Sequence, residues 1–166
     1  MIVIADTSPL HYLVLLEHAE VLLNLYGHVI IPRAVVRELQ AERTPLRVRE
    51  WIASPPSWLE VREISVPADP ALAELDPGER EAIALAEALH ADALILDEKR
   101  GRREAERRKL RVIGTVRVLD DAAEAGLVDL PDALKRLQAF GFYLDAKLMQ
   151  LLLERHSTRL RRNNEK

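Results

Sequence analysis

MIVIADTSPL, residues 1–10, decides the architecture. A short apolar run, largely β-branched, ends in one carboxylate, Asp6, followed by Thr7, Ser8 and Pro9. Such a run reads as a strand buried on both faces, as in a parallel sheet covered by helices. Charge only at its carboxyl end puts Asp6 at the rim of the sheet, where open α/β sheets take their ligands. Thr7 and Ser8 can bond local backbone or the carboxylate, and Pro9 fits the first turn of a helix. Read alone, Asp6 serves equally well as the cap of that helix. Three later carboxylates in matching positions tip the balance towards a site.

Outward from this strand, apolar and amphipathic segments alternate. Residues 10–26 are spaced as a helix with a break near Glu17 and His18, and Gly27 stops it. HVII at 28–31 is a second strand, and Pro32 opens the helix PRAVVRELQ. Residues 46–53 form a helix ended by Ser54-Pro55-Pro56, and LEVREI at 59–64 alternates as an edge strand does. Asp76 caps and Pro77 begins the best-formed helix, reaching to about His90. ALIL at 93–96 is a fourth strand, closing on Asp97 and Glu98; a charged helix and a fifth strand, LRVI at 110–113, follow. Residues 116–125 are helical up to Gly126, and two more helices cover about 130–140 and 145–156. This order predicts a three-layer α/β/α sandwich around a mostly parallel five-stranded sheet. The sheet-bearing core is expected over residues 1–126, a helical extension over 127–157, and a frayed basic tail over 158–166.

Composition narrows the function classes. The chain has 166 residues, enough for a real core, and a formal net charge of −3. There is no global nucleic-acid signature, so any basic surface is local. The absence of cysteine excludes disulfides, thiolate zinc sites and cysteine nucleophiles, and fits a cytoplasmic protein. No apolar run approaches the roughly 20 residues of a membrane span, and Met1 leads straight into a strand with no room for a signal peptide.

The carboxylates carry the chemistry. Glu38 shares a helix face with Ala34 and Val35, at the margin of the buried stripe. Glu79 is followed at helical spacing by Ile83, Ala86 and His90, so it continues the inward face of its helix. Dipole compensation explains an acid in a first turn but not one that points inward. Asp97 repeats the Asp6 arrangement. Two strand ends and two inward helix positions can meet at one rim, and buried like charges require cations. An all-oxygen donor set favours Mg2+ or Mn2+ over zinc, with Glu98 as a further candidate ligand.

In order and spacing these residues resemble a PIN domain. The matching elements are Asp6-Thr7-Ser8, Glu38 within PRAVVREL, Glu79-Arg80-Glu81-Ala82-Ile83-Ala84-Leu85-Ala86, and Leu94-Ile95-Leu96-Asp97, with Gly101-Arg102 and Gly114-Thr115 similar to a prokaryotic branch of the family. The resemblance covers about residues 2–125. It implies strand order 3-2-1-4-5, metal-dependent ribonuclease activity, a VapC-like toxin paired with an antitoxin, and a homodimer. It implies that Asp6, Glu38, Glu79 and Asp97 bind the metal and perform catalysis, with Thr7 or Ser8 orienting Asp6 or a water. Glu79 stands where many relatives have Asp.

Arg102 and Arg103, on the charged helix after Asp97, are candidate RNA-phosphate contacts; the alternative is a solvated face balanced by Glu98, Glu104 and Glu106. His11 lies near Asp6, and the five histidines show no zinc-type spacing. Trp51 and Trp58 read as packing residues around a proline-rich turn. A catalytically silent RNA- or protein-binding module of the same fold is the main rival to a nuclease. A receiver-type signalling domain also clusters acids at strand ends, but it needs a lysine after its last strand, and here that strand ends in Gly114-Thr115.

Overall fold

The computed structural model describes all residues, 1–166. Two compact units emerge, Met1–Thr115 and Val116–Lys166. The division falls ahead of Gly126, where the sequence suggested that the core ends.

The first unit is built on a five-stranded, all-parallel sheet with helices on both sides. Its strands are β1 (Val3–Ala5), β2 (Val29–Pro32), β3 (Leu59–Arg62), β4 (Ala93–Ile95) and β5 (Val112–Ile113). Their spatial order is β3-β2-β1-β4-β5, as the resemblance implied. Every residue of β1, β2 and β4 is buried, which is why these segments read as unbroken apolar runs. The alternating β3 lies at the edge.

The helices are α1 (Thr7–Leu15), α2 (Val21–Tyr26), α3 (Arg33–Leu39), α4 (Leu46–Ala53), α5 (Pro70–Ala73), α6 (Pro77–Ala88) and α7 (Lys99–Arg107). The break between α1 and α2 is real: Glu17 adopts φ 61° there. Helix α1 begins at Thr7, so Asp6 is the single residue between β1 and the helix and occupies the helix cap position, although its side chain caps nothing. Pro32 ends β2 rather than beginning α3; its backbone is extended. Helix α6 lays Ala82, Ile83, Leu85 and Ala86 against Ile4, Ile30 and Leu94 of the sheet. Burying such side chains is worth roughly 1.5–3 kcal/mol for each large aliphatic residue. Because strand side chains alternate, Val3 and Ala5 face the opposite layer, and their complete burial shows that side to be covered too. Trp51 and Trp58 pack together with ring centroids 6.1 Å apart. Arg108 ties three acids, Asp69, Glu87 and Glu104, and so fastens the segment before α5 to the end of α7.

The second unit contains α8, which starts at Thr115 and runs to Glu124, α9 (Leu130–Ala139) and α10 (Ala146–Asn164). The expected frayed tail is a correction: α10 continues to Asn164. Thr158 bonds back to the Glu154 carbonyl at 3.0 Å, and Arg159 reaches Asp120 at 2.8 Å, so the basic segment is helical and partly anchored. No helix is long and apolar enough to cross a membrane.

Candidate functional site

Parallel register assembles one side of the site. Ala5 pairs with Ile95, and Ile95 with Ile113. Asp6 follows Ala5, and its N–H donates to the Ile95 carbonyl at 2.9 Å. Two residues beyond the paired isoleucines stand Asp97 and Thr115, which the same register brings side by side. Thr115 donates its backbone N–H to Asp97 Oδ1 at 2.8 Å and its hydroxyl to Oδ2 at 2.7 Å. Ser8 adds a third donor, at 3.0 Å from Oδ2.

Helices supply the other acids. Glu38, half-buried on α3, accepts from the Thr7 hydroxyl at 2.9 Å and from the Gly78 N–H at 3.2 Å. Glu79, in the first turn of α6, is only 6% exposed, so the inward reading of its helix face holds. Gly78 presses directly on the carboxylates: a Cβ there would lie 2.7 Å from Glu38 Oε2, nearer still to Oε1, and 3.0 Å from Asp6 Oδ1. A Cβ on Gly101 would lie 3.4 Å from the Glu79 carboxyl carbon, so α7 approaches this acid closely.

The Thr7 backbone bonds the Asp6 carboxylate, but the hydroxyls of Thr7 and Ser8 go to other acids. They diverge, one to Glu38 and the other to Asp97. Asp6 itself is 4% exposed, and its Oδ1 has no hydrogen-bond partner. Arg102 also has a partner within the protein. It is half-buried, and its Nη1 donates to the Leu96 carbonyl at 3.0 Å, bracing the residue before Asp97. A Cβ on Gly114 would come within 2.9 Å of that guanidinium and 3.0 Å of Asp97 Oδ1. Arg103 is exposed on α7.

These acids open onto a cleft of ≈ 270 Å³. Asp6, Glu38 and Glu79 line it, joined by Asp76 and Glu98; Asp97 meets it through Ser8. No lysine or arginine lines it. Asp76 was legible only as a helix cap, yet its side chain makes no capping bond and faces the cleft instead. Thr115 was also missed as a site residue, because only the register of β4 and β5 reveals it. His11 and Tyr12 complete the lining.

Electrostatics follow from the burial. Desolvation pushes Asp6 up to about 8; the Thr7 backbone opposes this, and the charges of Glu38, Glu79 and Asp97 add to it. Glu79 rises to about 7, first by burial and then by the charges of Asp76 and Glu98. Burial also lifts Glu38, against the hydrogen bonds from Thr7 and Gly78. Desolvation holds the His11 imidazole below its ordinary range.

No three acids converge as a ready-made ligand set for one ion. The donor chemistry nevertheless fits a hard divalent cation: every donor is oxygen, one buried carboxylate oxygen is orphaned, and no lysine or arginine lines the cleft, Arg43 acting on Glu38 from outside it. Asp6, Glu38 and Glu79 are the residues that would hold it, with Asp97 at the edge.

An all-parallel sheet with carboxylates gathered at the carboxyl ends of its central strands defines a class of α/β domain with an acidic cleft at the rim. Residues 2–158 match the DUF3368 family model, described as a PIN domain, and the chain belongs to the PIN-domain family. Among solved structures, it is similar to a PilT N-terminus domain protein from the hyperthermophilic archaeon Sulfolobus solfataricus P2, at 17% identity and a TM-score of 0.51, over 87% of this chain and 98% of that one. That likeness is one of fold. No curated protein matches the chain in sequence.

Proposed function

We propose that the chain is an endoribonuclease dependent on Mg2+ or Mn2+. The orphaned Asp6 Oδ1, buried among like charges in an open cleft, carries this reading. A binding-only surface has no use for an unpartnered buried carboxylate oxygen, which costs stability for nothing. Membership of a family built on a nuclease fold supports it further.

Asp6, Glu38, Glu79 and Asp97 are the proposed metal-binding and catalytic acids. When bound, divalent cations supply Lewis-acid stabilisation of a phosphodiester and activation of water. The water oxygen attacks phosphorus, the bond to the 3′ oxygen breaks, and a water proton ends on that oxygen, leaving a 5′-phosphate and a 3′-hydroxyl. Thr7 holds the Glu38 carboxylate in place, and Thr115 and Ser8 do the same for Asp97. No side-chain nucleophile is needed.

The finer reading is a VapC-like toxin, neutralised by an antitoxin and acting as a homodimer in the cytoplasm. Leu148, Leu151 and Leu160, left exposed along α10, support a partner surface there. The deciding experiment incubates the purified chain with varied RNAs in Mn2+, in Mg2+ and in EDTA. Cleavage only with metal is expected. Cleavage in EDTA, or none in any condition, rejects the reading, and RNA binding without cleavage would favour the silent module. Growth arrest on expression, relieved by a small protein encoded beside it, tests the toxin role.

A further inference from the structure

Apart from carboxylates, four side chains line the cleft: Thr7, Ser8, His11 and Tyr12. The first two are committed, Thr7 to Glu38 and Ser8 to Asp97. His11 and Tyr12 bring the two rings of the lining, and α1 places them well. Positions i, i+3 and i+4 share a helix face, so both rings stand one turn along from Ser8, on its side of the helix. Ser8 in turn bonds the acid at the end of β4. The rings meet edge to face, with centroids 4.9 Å apart and planes at 72°. Both are half-buried, packed enough to hold their orientation and open enough to offer a face.

We propose that His11 and Tyr12 form a nucleobase subsite, on which a base beside the scissile phosphate of single-stranded RNA stacks. The inference rests on the ribonuclease reading. A nucleotide offers a charged phosphate and a flat, uncharged base. The acids and their cations take the first. A cleft without lysine or arginine has only these rings for the second. Base–aromatic stacking tolerates sequence because every base has a π-face. The subsite therefore selects unstacked, single-stranded RNA over duplex rather than one sequence over another. Consecutive positions on one helix also set the two rings at different angles, so a base stacked on one meets the edge of the other. That arrangement grips a single flat group.

The test uses the full chain with Ca2+ in place of Mn2+, and two probes of equal length: a short single-stranded RNA carrying 2-aminopurine, whose fluorescence falls on stacking, and an abasic ribose-phosphate strand. The wild type and Tyr12→Phe are expected to quench 2-aminopurine and bind the base-bearing strand. Tyr12→Leu and His11→Ala are expected to lose the quenching and bind that strand about ten-fold more weakly, with the abasic strand affected far less. Equal losses on both strands overturn the subsite, because the rings would then be supporting the fold of the cleft. So does an absence of quenching by a chain that cleaves RNA in Mn2+. A wild-type chain that neither cleaves nor binds RNA overturns the ribonuclease reading and the subsite together.

Discussion

Glu38 fills the space where Gly78 would carry a side chain. The Gly78 N–H donates to Glu38 Oε2 at 3.2 Å, and a Cβ at this position would lie 2.7 Å from the same oxygen. The glycine is not demanded by backbone conformation, since it sits in the first turn of α6. The close approach of a carboxylate from another helix demands it. Gly78→Ala should therefore push Glu38 off its Thr7 bond, a methyl group displacing a functional group. Helix propensity favours alanine by about 1 kcal/mol, so stability should change little. Metal-dependent RNA cleavage should fall by at least ten-fold while the thermal midpoint moves by only a few degrees. A fully active Gly78→Ala protein would show that the Glu38 position is not critical.

Asp6 contributes the opposite imbalance, a buried group whose partner is missing from the protein. Its Oδ1 is orphaned, and its carboxyl is pushed up to about 8. Asp6→Asn keeps the shape and removes the charge. It should abolish cleavage and, above pH 8, where the Asp6 carboxyl ionises, leave the metal-free melting temperature equal or higher, since repulsion from Glu38, Glu79 and Asp97 is relieved. A gain of about 1 kcal/mol would appear as roughly 2–4 °C in a chain of this size. A large drop in melting temperature would instead make Asp6 a structural cap, the reading that the first ten residues also allowed.

Much of this arrangement could be read before the structure. Short parallel strands leave no room for charge until the chain leaves the sheet, so Asp6 and Asp97 stood out at the ends of apolar runs. Glu79 stood out because helical periodicity put an acid among Ile83 and Ala86. Other features depend on relations that spacing does not encode. Thr115 matters because β4 and β5 pair Ile95 with Ile113. Arg102 looked like a free cation in a charged helix, yet its guanidinium turns back to the Leu96 carbonyl. Asp76 before Pro77 has every mark of a helix cap, and only the structure shows its side chain unused for capping. The polar segment 158–166 resembled a solvated tail because helix continuation there rests on local bonds such as Thr158 to Glu154, not on an apolar stripe.

Stability should depend on pH in a direction opposite to that of a salt-bridged protein. Asp6, Glu79 and Glu38 all bind protons more tightly when folded than when unfolded. Between their ordinary values near 4 and folded values of about 7 and 8, the native state holds more protons, so stability falls as pH rises. Their contribution is complete below the unfolded values and lost on passing through the folded ones. In EDTA, the melting temperature should decline from pH 5 to pH 8. Mn2+ should restore it, with a larger gain at pH 8, where it no longer competes with protons. A melting temperature that rises across this range in EDTA, or a Mn2+ effect independent of pH, would contradict the buried-acid account.

Thr115 gives the sharpest test of how the rim is organised. It is fully buried and holds Asp97 with two donors, one from its backbone and one from its hydroxyl. Thr115→Val removes the hydroxyl at nearly constant volume and keeps the backbone bond. Asp97 then retains the Thr115 N–H on Oδ1 and Ser8 alone on Oδ2, so the carboxylate stays in the pocket but its Oδ2 is held by one donor instead of two. Losing a hydrogen bond to a charged group costs roughly 1.5–3 kcal/mol. The melting temperature should drop accordingly, and cleavage should fall about ten-fold through misalignment. Thr115→Ser restores the hydroxyl and should recover most of the activity even though it leaves a methyl-sized gap. If valine and serine variants instead lose activity equally, the methyl contact is what matters, and Asp97 is positioned by packing rather than by hydrogen bonds.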